Sequence, residues 1–89
     1  MLTARHHKAF KKDYKKVKAQ GKDMAELKKV LTMLLNEEEL PASLRDHALS
    51  GNWASFRELH LESDWLLIYK IADGICHLVR TGSHTELFD

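Results

Sequence analysis

The stretch DWLLIYKIADGICHLVRT, residues 64–81, decides the fold. Residues 65–72 form an almost unbroken apolar run, which is typical of a strand that is buried on both faces of a sheet. Asp73 and Gly74 follow this run and predict a two-residue hairpin turn, because both residue types tolerate the left-handed backbone that such turns need. Residues 75–81 then return as a last strand. The stretch therefore predicts an antiparallel hairpin at the centre of a sheet.

Weaker patterns outside this hairpin predict the remaining elements. They indicate strands at residues 2–5, 44–49 and 53–61 and helices at residues 7–20 and 24–36. Asp23 precedes the second helix and has Glu26 three residues later, an arrangement that predicts an N-cap. Because the connection between the two helices is short, we expect them to form an antiparallel helical hairpin. Pro41 ends the helical half of the chain.

These elements predict one α+β domain that comprises residues 1–89, with an N-terminal helical hairpin packed on a small antiparallel β-sheet. The chain of 89 residues is 44% hydrophobic and 30% charged, as expected of a globular protein and not of a disordered one. No apolar run approaches the roughly 20 residues that a membrane-spanning helix needs. The first residues lack the apolar core of a secretion signal and Cys76 is the only cysteine, so we expect a cytoplasmic protein.

Charge is distributed unevenly along the chain. Residues 1–30 carry ten basic and three acidic side chains, whereas residues 31–89 carry four basic and ten acidic ones. At helical spacing, five basic residues fall on the side of the first helix opposite Phe10, Tyr14 and Val17. These five residues, called here the lysine stripe, are Lys8, Lys11, Lys12, Lys15 and Lys16. Two interpretations are open: the stripe contacts a polyanion, or it is a solvated helix face.

Three histidines, an aspartate and an arginine fall at predicted strand ends or in the adjacent loops: His47, His60, His84, Asp64 and Arg80. In an antiparallel meander such positions can converge although they are distant in sequence. These residue types suit cleavage of RNA by its own 2′-hydroxyl, which needs a base, an acid and a cation that holds the charge developing on the phosphate. Histidine supplies base and acid near neutral pH, and arginine offers phosphate a fork of donors.

Each of these residues also has a purely structural interpretation. A histidine at a strand end is most often a surface residue, Arg80 could form only a salt bridge, and Asp64 could cap a loop. A metal site is a further alternative, since histidine and aspartate are ordinary zinc ligands. The sequence contains no short paired spacing such as HxxxH or CxxC, so we predict neither a metal nor another cofactor.

Short motifs occur in a fixed order along the second half of the chain, among them RDHALSG, FRELH, DWLLIYK and RTGSHTELF. In this series and its separations, the sequence resembles the C-terminal half of YafQ-type toxins, members of the RelE/ParE superfamily of bacterial toxin–antitoxin systems. The resemblance implies a RelE-like fold of the microbial ribonuclease type. It also implies an mRNA interferase, a ribosome-dependent endoribonuclease that uses metal-independent acid–base attack of the 2′-hydroxyl and so inhibits translation.

Carried over residue by residue, the resemblance implies a catalytic set of His84, His60, Asp64, His47 and Arg80. In that set, His84 is the general acid that protonates the leaving 5′-oxygen. His60, Asp64 or His47 assists removal of the proton of the 2′-hydroxyl or holds the substrate. Arg80 stabilises the phosphorane.

The resemblance also assigns residues and partners around this set. Trp65 and Phe88 match site-shaping residues of the family, and Phe88 is expected to pack so that His84 points inward. The lysine stripe is expected to contact the backbone of ribosomal RNA. The implied partners are the 70S ribosome, mRNA and a cognate antitoxin of the ribbon-helix-helix DNA-binding type, with no membrane involved. Two alternatives stay open: a ParE-like toxin that inhibits DNA gyrase without nuclease activity, and a module that mainly binds its partner.

Overall fold

The computed structural model describes residues 1–88, and Asp89 lies outside the described residues. Within this range the strands are β1 (Thr3–His6), β2 (His47–Ala48), β3 (Arg57–Glu62), β4 (Trp65–Ala72) and β5 (Ile75–Gly82). The helices are α1 (Lys8–Ala19), α2 (Met24–Leu35) and α3 (His84–Phe88), and short 3-10 turns lie at Ala42–Leu44 and Gly51–Trp53. No helix in residues 1–88 is long and apolar enough to cross a membrane.

The strands form one mixed sheet in the order β1-β5-β4-β3-β2. β1 pairs in parallel with β5, whereas the other neighbours are antiparallel. The predicted fold class is therefore wrong. Instead of an N-terminal helical hairpin on an antiparallel sheet, the structure has a first strand at the edge of a mixed sheet, then two helices, then the remaining strands and a third helix.

The error has a physical origin in the two ends of the chain. β1 has four residues, TARH, and none of them is buried, so its sequence carries no apolar alternation. Its partner β5 lies near the other end of the chain, and local periodicity contains no information on a pairing between distant segments. Helix α3 has five residues, which is too few for a helical pattern to be recognised.

Helices α1 and α2 pack on one face of the sheet. A continuous core joins them to the strands through Phe10, Val30, Leu34, Leu59, Leu67 and Leu78. Asp23 caps α2 as predicted, because its Oδ1 accepts hydrogen bonds from the backbone N–H groups of Ala25 at 3.1 Å and Glu26 at 3.4 Å. This face supplies the larger part of the buried apolar surface.

The opposite face carries a smaller apolar cluster of Leu66, Ile68 and Leu87, the last from α3. Trp53 and Phe56 pack against its edge. Strand β4 is thus covered on both sides, which confirms the interpretation of its apolar run. A central strand held from both sides is a rigid support for residues at its ends.

Two predicted strands are shorter than expected. In residues 53–61 the strand begins only at Arg57, because a 3-10 turn occupies Gly51–Trp53. In residues 44–49 pairing is confined to His47–Ala48, since Arg45 adopts a left-handed backbone with φ of 49° after another turn. In both places a local turn includes residues that the alternating sequence pattern predicted to belong to a strand.

Candidate active site

The three predicted site histidines lie side by side on the face of the sheet opposite α1 and α2. The ring centroids of His47 and His60 are 6.0 Å apart, and those of His60 and His84 are 5.9 Å apart. Each ring comes from a different element, β2, β3 or α3. The strand register explains the convergence, because His60 pairs with Leu66 and Leu66 pairs with Gly82, two residues before His84.

Asp64 holds His84 in place from the turn between β3 and β4. Its Oδ1 accepts a hydrogen bond from the backbone N–H of His84 at 3.0 Å and another from ring Nδ1 at 3.1 Å. These bonds, the backbone one first, lower the pKa of Asp64, so its carboxylate stays ionised. Because Nδ1 donates to Asp64, the Nε2 atom of the half-exposed His84 ring is available to exchange a proton with a ligand.

Glu58 is a residue of this site that the sequence analysis missed. It is only 5% exposed, and its Oε2 lies 3.0 Å from Nε2 of His47 and 3.8 Å from Nε2 of His60. A buried carboxylate requires such partners. Nδ1 of His47 donates to the carbonyl oxygen of Arg45 at 2.8 Å, which turns Nε2 towards Glu58. The alternation of β3 puts Glu58 on the same face as His60, and this signal could have identified it.

Arg45 is a second residue that the sequence analysis missed, and it brings a cation to the histidines. Its Nη2 donates to Nδ1 of His60 at 3.1 Å. Burial lowers the pKa of His60, and the charge of Arg45 lowers it further, against the opposing effect of Glu58. His60 is therefore mainly neutral at pH 7, which is the form of an imidazole that takes up a proton. No local pattern marks Arg45, because its position depends on the backbone turn before β2.

Phe88 packs beside this cluster at the end of α3. Its ring lies 6.2 Å from that of His84 and stands edge-on to that of Trp53 at 5.8 Å. The preceding Leu87 is buried and fixes α3 to the sheet. The position of Phe88 is compatible with its predicted task of orienting His84.

The contacts of Arg80 and Trp65 lie outside the histidine cluster. Nε of Arg80 donates to Oδ2 of Asp13 at 2.6 Å, and Nη2 of Arg80 donates to Oδ1 of Asp13 at 3.2 Å. Trp65 is fully buried and donates from Nε1 to Oγ1 of Thr81 at 3.0 Å. Trp65 is thus a core residue that supports β5, with no face available to a ligand. The side chain of Arg80 is 29% exposed.

The lysine stripe is exposed along α1, on the other side of the sheet from the histidines. Its members differ in their contacts. Within residues 1–88, Lys16 is the one lysine of the stripe that forms an ion pair, with Nζ 2.5 Å from Oε2 of Glu86 in α3. Lys16 therefore connects the basic helix to the helix that carries His84.

His47, Glu58 and His60 also have the geometry of a candidate metal site. Each offers one ligand atom, and the three atoms lie within 4.8 Å of one another. Two imidazoles and a carboxylate suit a transition metal such as zinc or copper. Sequence spacing could not show this arrangement, because the residues come from two paired strands. That the protein functions without a metal stays a prediction.

Three histidines with two carboxylates and an arginine around them define a small α+β protein equipped for acid–base chemistry. The family model described as "Bacterial toxin of type II toxin-antitoxin system, YafQ" matches residues 2–89. The chain belongs to this family, and the resemblance predicted from the ordered motifs is confirmed.

Individual relatives agree with this assignment. The chain is 44% identical over 80 residues to the mRNA interferase toxin YafQ of Escherichia coli K12, covering 89% of this chain and 87% of that protein. It is also similar to a copper-bound L66S mutant toxin from Helicobacter pylori, with a TM-score of 0.95 and 41% identity over 99% of this chain and all of that one. YafQ in the E. coli DinJ–YafQ complex matches with a TM-score of 0.92 and 39% identity over 100% of both chains.

Proposed function

We propose that this protein is an mRNA interferase toxin of a type II toxin–antitoxin system, which cleaves mRNA on the ribosome and thereby inhibits translation. Membership of the YafQ family and the similarity to the E. coli mRNA interferase support this reaction class. The observation that carries the proposal is His84, held by Asp64 beside His60 and His47. Because its substrate is mRNA under translation, the toxin acts in the cytoplasm. The ParE-like alternative, inhibition of DNA gyrase, has no support from these matches.

The proposed reaction is attack of an mRNA 2′-hydroxyl on the adjacent phosphorus. His60 takes the hydroxyl proton while the 2′-oxygen bonds to phosphorus and the bond to the 5′-oxygen breaks. His84, entering the reaction protonated, gives the proton on Nε2 to the departing 5′-oxygen. The products are a 2′,3′-cyclic phosphate and a free 5′-hydroxyl. His60 gains one proton and His84 loses one, so the proton balance is closed.

Among the three candidates for the base, the geometry favours His60. Asp64 is engaged by the backbone and the ring of His84, so its proposed role is to orient that ring. His47 faces the buried carboxylate of Glu58, so its proposed role is to hold the substrate from that side. The lowered pKa of His60 keeps its imidazole neutral at pH 7, which is the form that can take up a proton.

Two arginines are proposed to stabilise the negative charge that develops on the phosphate. Arg45 donates to Nδ1 of His60 in this structure, and its exposed guanidinium can turn to a phosphate oxygen. That movement exposes the lone pair with which His60 takes up the proton. Arg80 presents the part of its guanidinium that Asp13 does not bind. Cationic donors that stabilise charge developing on a phosphate contribute to the rate enhancement in phosphoryl chemistry.

The surrounding residues are proposed to place the substrate. Phe88 is exposed next to His84, where it can contact a base or fix the ring. Trp65 is proposed to act indirectly, because its hydrogen bond to Thr81 supports β5. The lysine stripe contacts phosphates of ribosomal RNA, so binding to the ribosome weakens as the salt concentration rises.

We propose a cognate antitoxin as the regulatory partner of this toxin. E. coli YafQ forms a complex with DinJ, and its chain matches this one over its whole length. The acidic partner expected for the basic helix is an antitoxin of the ribbon-helix-helix type that binds its own operator. We expect co-expression of the adjacent gene to protect cells from the toxin.

We also propose that copper competes with the substrate in this site. The H. pylori toxin was solved in a copper-bound form. In this chain His47, Glu58 and His60 are the residues with the geometry to hold such an ion. A neutral imidazole that binds an ion through one nitrogen carries its proton on the other, so His60 would have no free lone pair to take up a proton and copper inhibits the reaction.

The function is tested by adding the purified protein to ribosomes that translate a defined mRNA and mapping the 5′ ends by primer extension. Wild type, His84→Ala and the matched control His6→Ala, a histidine of β1 outside the site, run side by side with ribosome-free mRNA. We expect in-frame cuts with wild type and His6→Ala and none with His84→Ala. Intact mRNA in every reaction, together with inhibition of gyrase, would replace this function by the ParE-like one.

A further inference from the structure

Helix α1 is attached to the segment that carries Arg80 and His84 by two ion pairs. Asp13 binds Arg80 through both carboxylate oxygens, at 2.6 and 3.2 Å. One turn further along α1, Lys16 lies 2.5 Å from Oε2 of Glu86. Residues three apart on a helix share a face, so the side chains of Asp13 and Lys16 extend from the same side of α1.

The contact of Asp13 fixes the end of β5. In addition to Arg80, Oδ2 of Asp13 accepts a hydrogen bond from the backbone N–H of Thr81 at 3.1 Å. The hydroxyl of Thr81 donates to the carbonyl oxygen of Leu66 at 2.7 Å and accepts from Nε1 of Trp65. Asp13 is only 13% exposed, so these charge-assisted bonds lie in a partly desolvated place, where they hold their partners firmly.

The contact of Lys16 fixes the start of α3. Ser83 and Glu86 form a reciprocal capping box: Oε1 of Glu86 accepts from the backbone N–H of Ser83 at 3.0 Å, and Oγ of Ser83 accepts from the N–H of Glu86 at 3.2 Å. Lys16, followed by the Ser83 N–H, lowers the pKa of Glu86 to about 2. Glu86 is therefore ionised throughout the physiological pH range, and both of its oxygens are engaged.

His84 depends on these contacts for its position. It is the first residue of α3, directly after Ser83. A helix of five residues is not stable by itself, because nucleation is unfavourable and few hydrogen bonds follow it. The place of the His84 ring is thus determined by Asp64, by the burial of Leu87 and by the capping box that Lys16 holds from outside.

We propose that Lys16 and Asp13 of α1 are positioning residues for the cleavage reaction, Lys16 acting on His84 through Glu86 and Asp13 acting on Arg80. This inference rests on the proposed function, in which His84 and Arg80 act on the scissile phosphate. It separates Lys16 from the other members of the lysine stripe: Lys8, Lys11, Lys12 and Lys15 bind RNA, whereas Lys16 sets the geometry of the chemical step.

The first test separates the chemical step from ribosome binding. Single-turnover cleavage of ribosome-bound mRNA is measured at increasing ribosome concentration for wild type, Lys16→Gln and the matched control Lys12→Gln, which removes the same charge from the same helix. We expect Lys16→Gln to lower the saturated rate constant about tenfold or more, because small displacements of a catalytic group have large effects on rate. Lys12→Gln should raise the half-saturating ribosome concentration and change the saturated rate less than about twofold.

Further variants show whether the contacts act as a unit. Lys16→Arg keeps the ion pair and should restore most of the saturated rate. Glu86→Gln should reproduce the loss, and the double variant Lys16→Gln/Glu86→Gln should lose no more than either single one, because both break the same contact. Asp13→Asn should also lower the saturated rate, by removing the charge that orients Arg80.

The second test does not depend on activity. In the free protein, the ring nitrogens of His84 are observed by NMR, where Nδ1 bound to Asp64 gives the signature of one tautomer. We expect Lys12→Gln to keep this signature. Lys16→Gln should instead give signals that are averaged over the two tautomers of the His84 ring. If wild type does not cleave mRNA, the proposed function fails while this measurement still decides on the positioning role. If Lys16→Gln retains both the wild-type signature and the saturated rate, the positioning inference is overturned and Lys16 is one more RNA contact.

Discussion

The two faces of the sheet are built on different principles. Under α1 and α2 the face is dry and apolar, with Phe10, Val30 and Leu67 each no more than 1% exposed. Under α3 a small apolar cluster around Ile68 and Leu87 is bordered by three histidines, two carboxylates and an arginine. The first face buries the apolar area from which most stability derives. The second holds its ionisable groups by a few polar contacts, which can be changed with less effect on the fold.

The largest effect is expected from truncation of the apolar face. Leu67→Ala should lower the free energy of unfolding by about 2–5 kcal/mol, because it leaves a cavity in a fully buried core. Leu87→Ala, at the edge of the other face, should lower it by about 1–2 kcal/mol, since residues near the surface can relax into the space. Urea titrations measure both values. Equal losses would mean that the two faces contribute equally to stability.

A smaller effect distinguishes the two arginines. Arg80→Gln leaves the partly buried carboxylate of Asp13 without its cation, so we expect a loss of about 1–3 kcal/mol of stability along with a slower reaction. Arg45→Gln removes a mainly exposed side chain and should change stability by less than about 0.5 kcal/mol while still slowing the reaction. Thermal unfolding and single-turnover cleavage of the same samples make this comparison. A stability loss in Arg45→Gln equal to that of Arg80→Gln would contradict it.

Copper provides a probe of only the face of the sheet that carries His47, His60 and His84. Copper ions should inhibit cleavage, and Glu58→Gln should weaken copper binding by more than about tenfold, because even outer-shell substitutions at metal sites have effects of that order. Calorimetric titration measures the affinity, with His77→Gln on β5 as a control outside the site.

A chelator should leave the activity of the metal-free protein unchanged. If the chelator abolished cleavage, a metal would take part in the reaction.

The distance along the chain over which each interaction acts explains which elements could be predicted from the sequence. Residues 65–81 were recognisable as a buried hairpin because burial on two faces leaves a continuous apolar run and the turn needs Asp-Gly. The N-cap Asp23 was recognisable because capping is a local interaction. By contrast, the parallel pairing of β1 with β5 joins distant segments and leaves no local pattern.

The site was recognisable in part for similar reasons. His47, His60, His84 and Asp64 were found as residue types at strand ends, and the structure brings them together. Glu58 was missed because an acidic residue in an alternating strand is usually solvated. Arg45 was missed because its contact with His60 depends on a left-handed residue in a turn. The contacts of Asp13 and Lys16 across the sheet edge depend on tertiary packing, which no spacing in the sequence encodes.

The smallest expected effect is the contribution of the ion pair between Lys16 and Glu86 to the stability of the protein at acid pH. The pKa of Glu86 is lowered to about 2 in the folded protein, so its ion pair stabilises the fold fully above the ordinary pKa of 4.5 and progressively less as the pH falls towards 2. We expect this pair to contribute about 0.5–1 kcal/mol, since both partners are partly exposed. In urea titrations, Lys16→Gln should therefore be less stable than Lys12→Gln at pH 6 and nearly equal to it at pH 2. A stability difference between these two variants that is the same at both pH values would show that Lys16 does not act through Glu86.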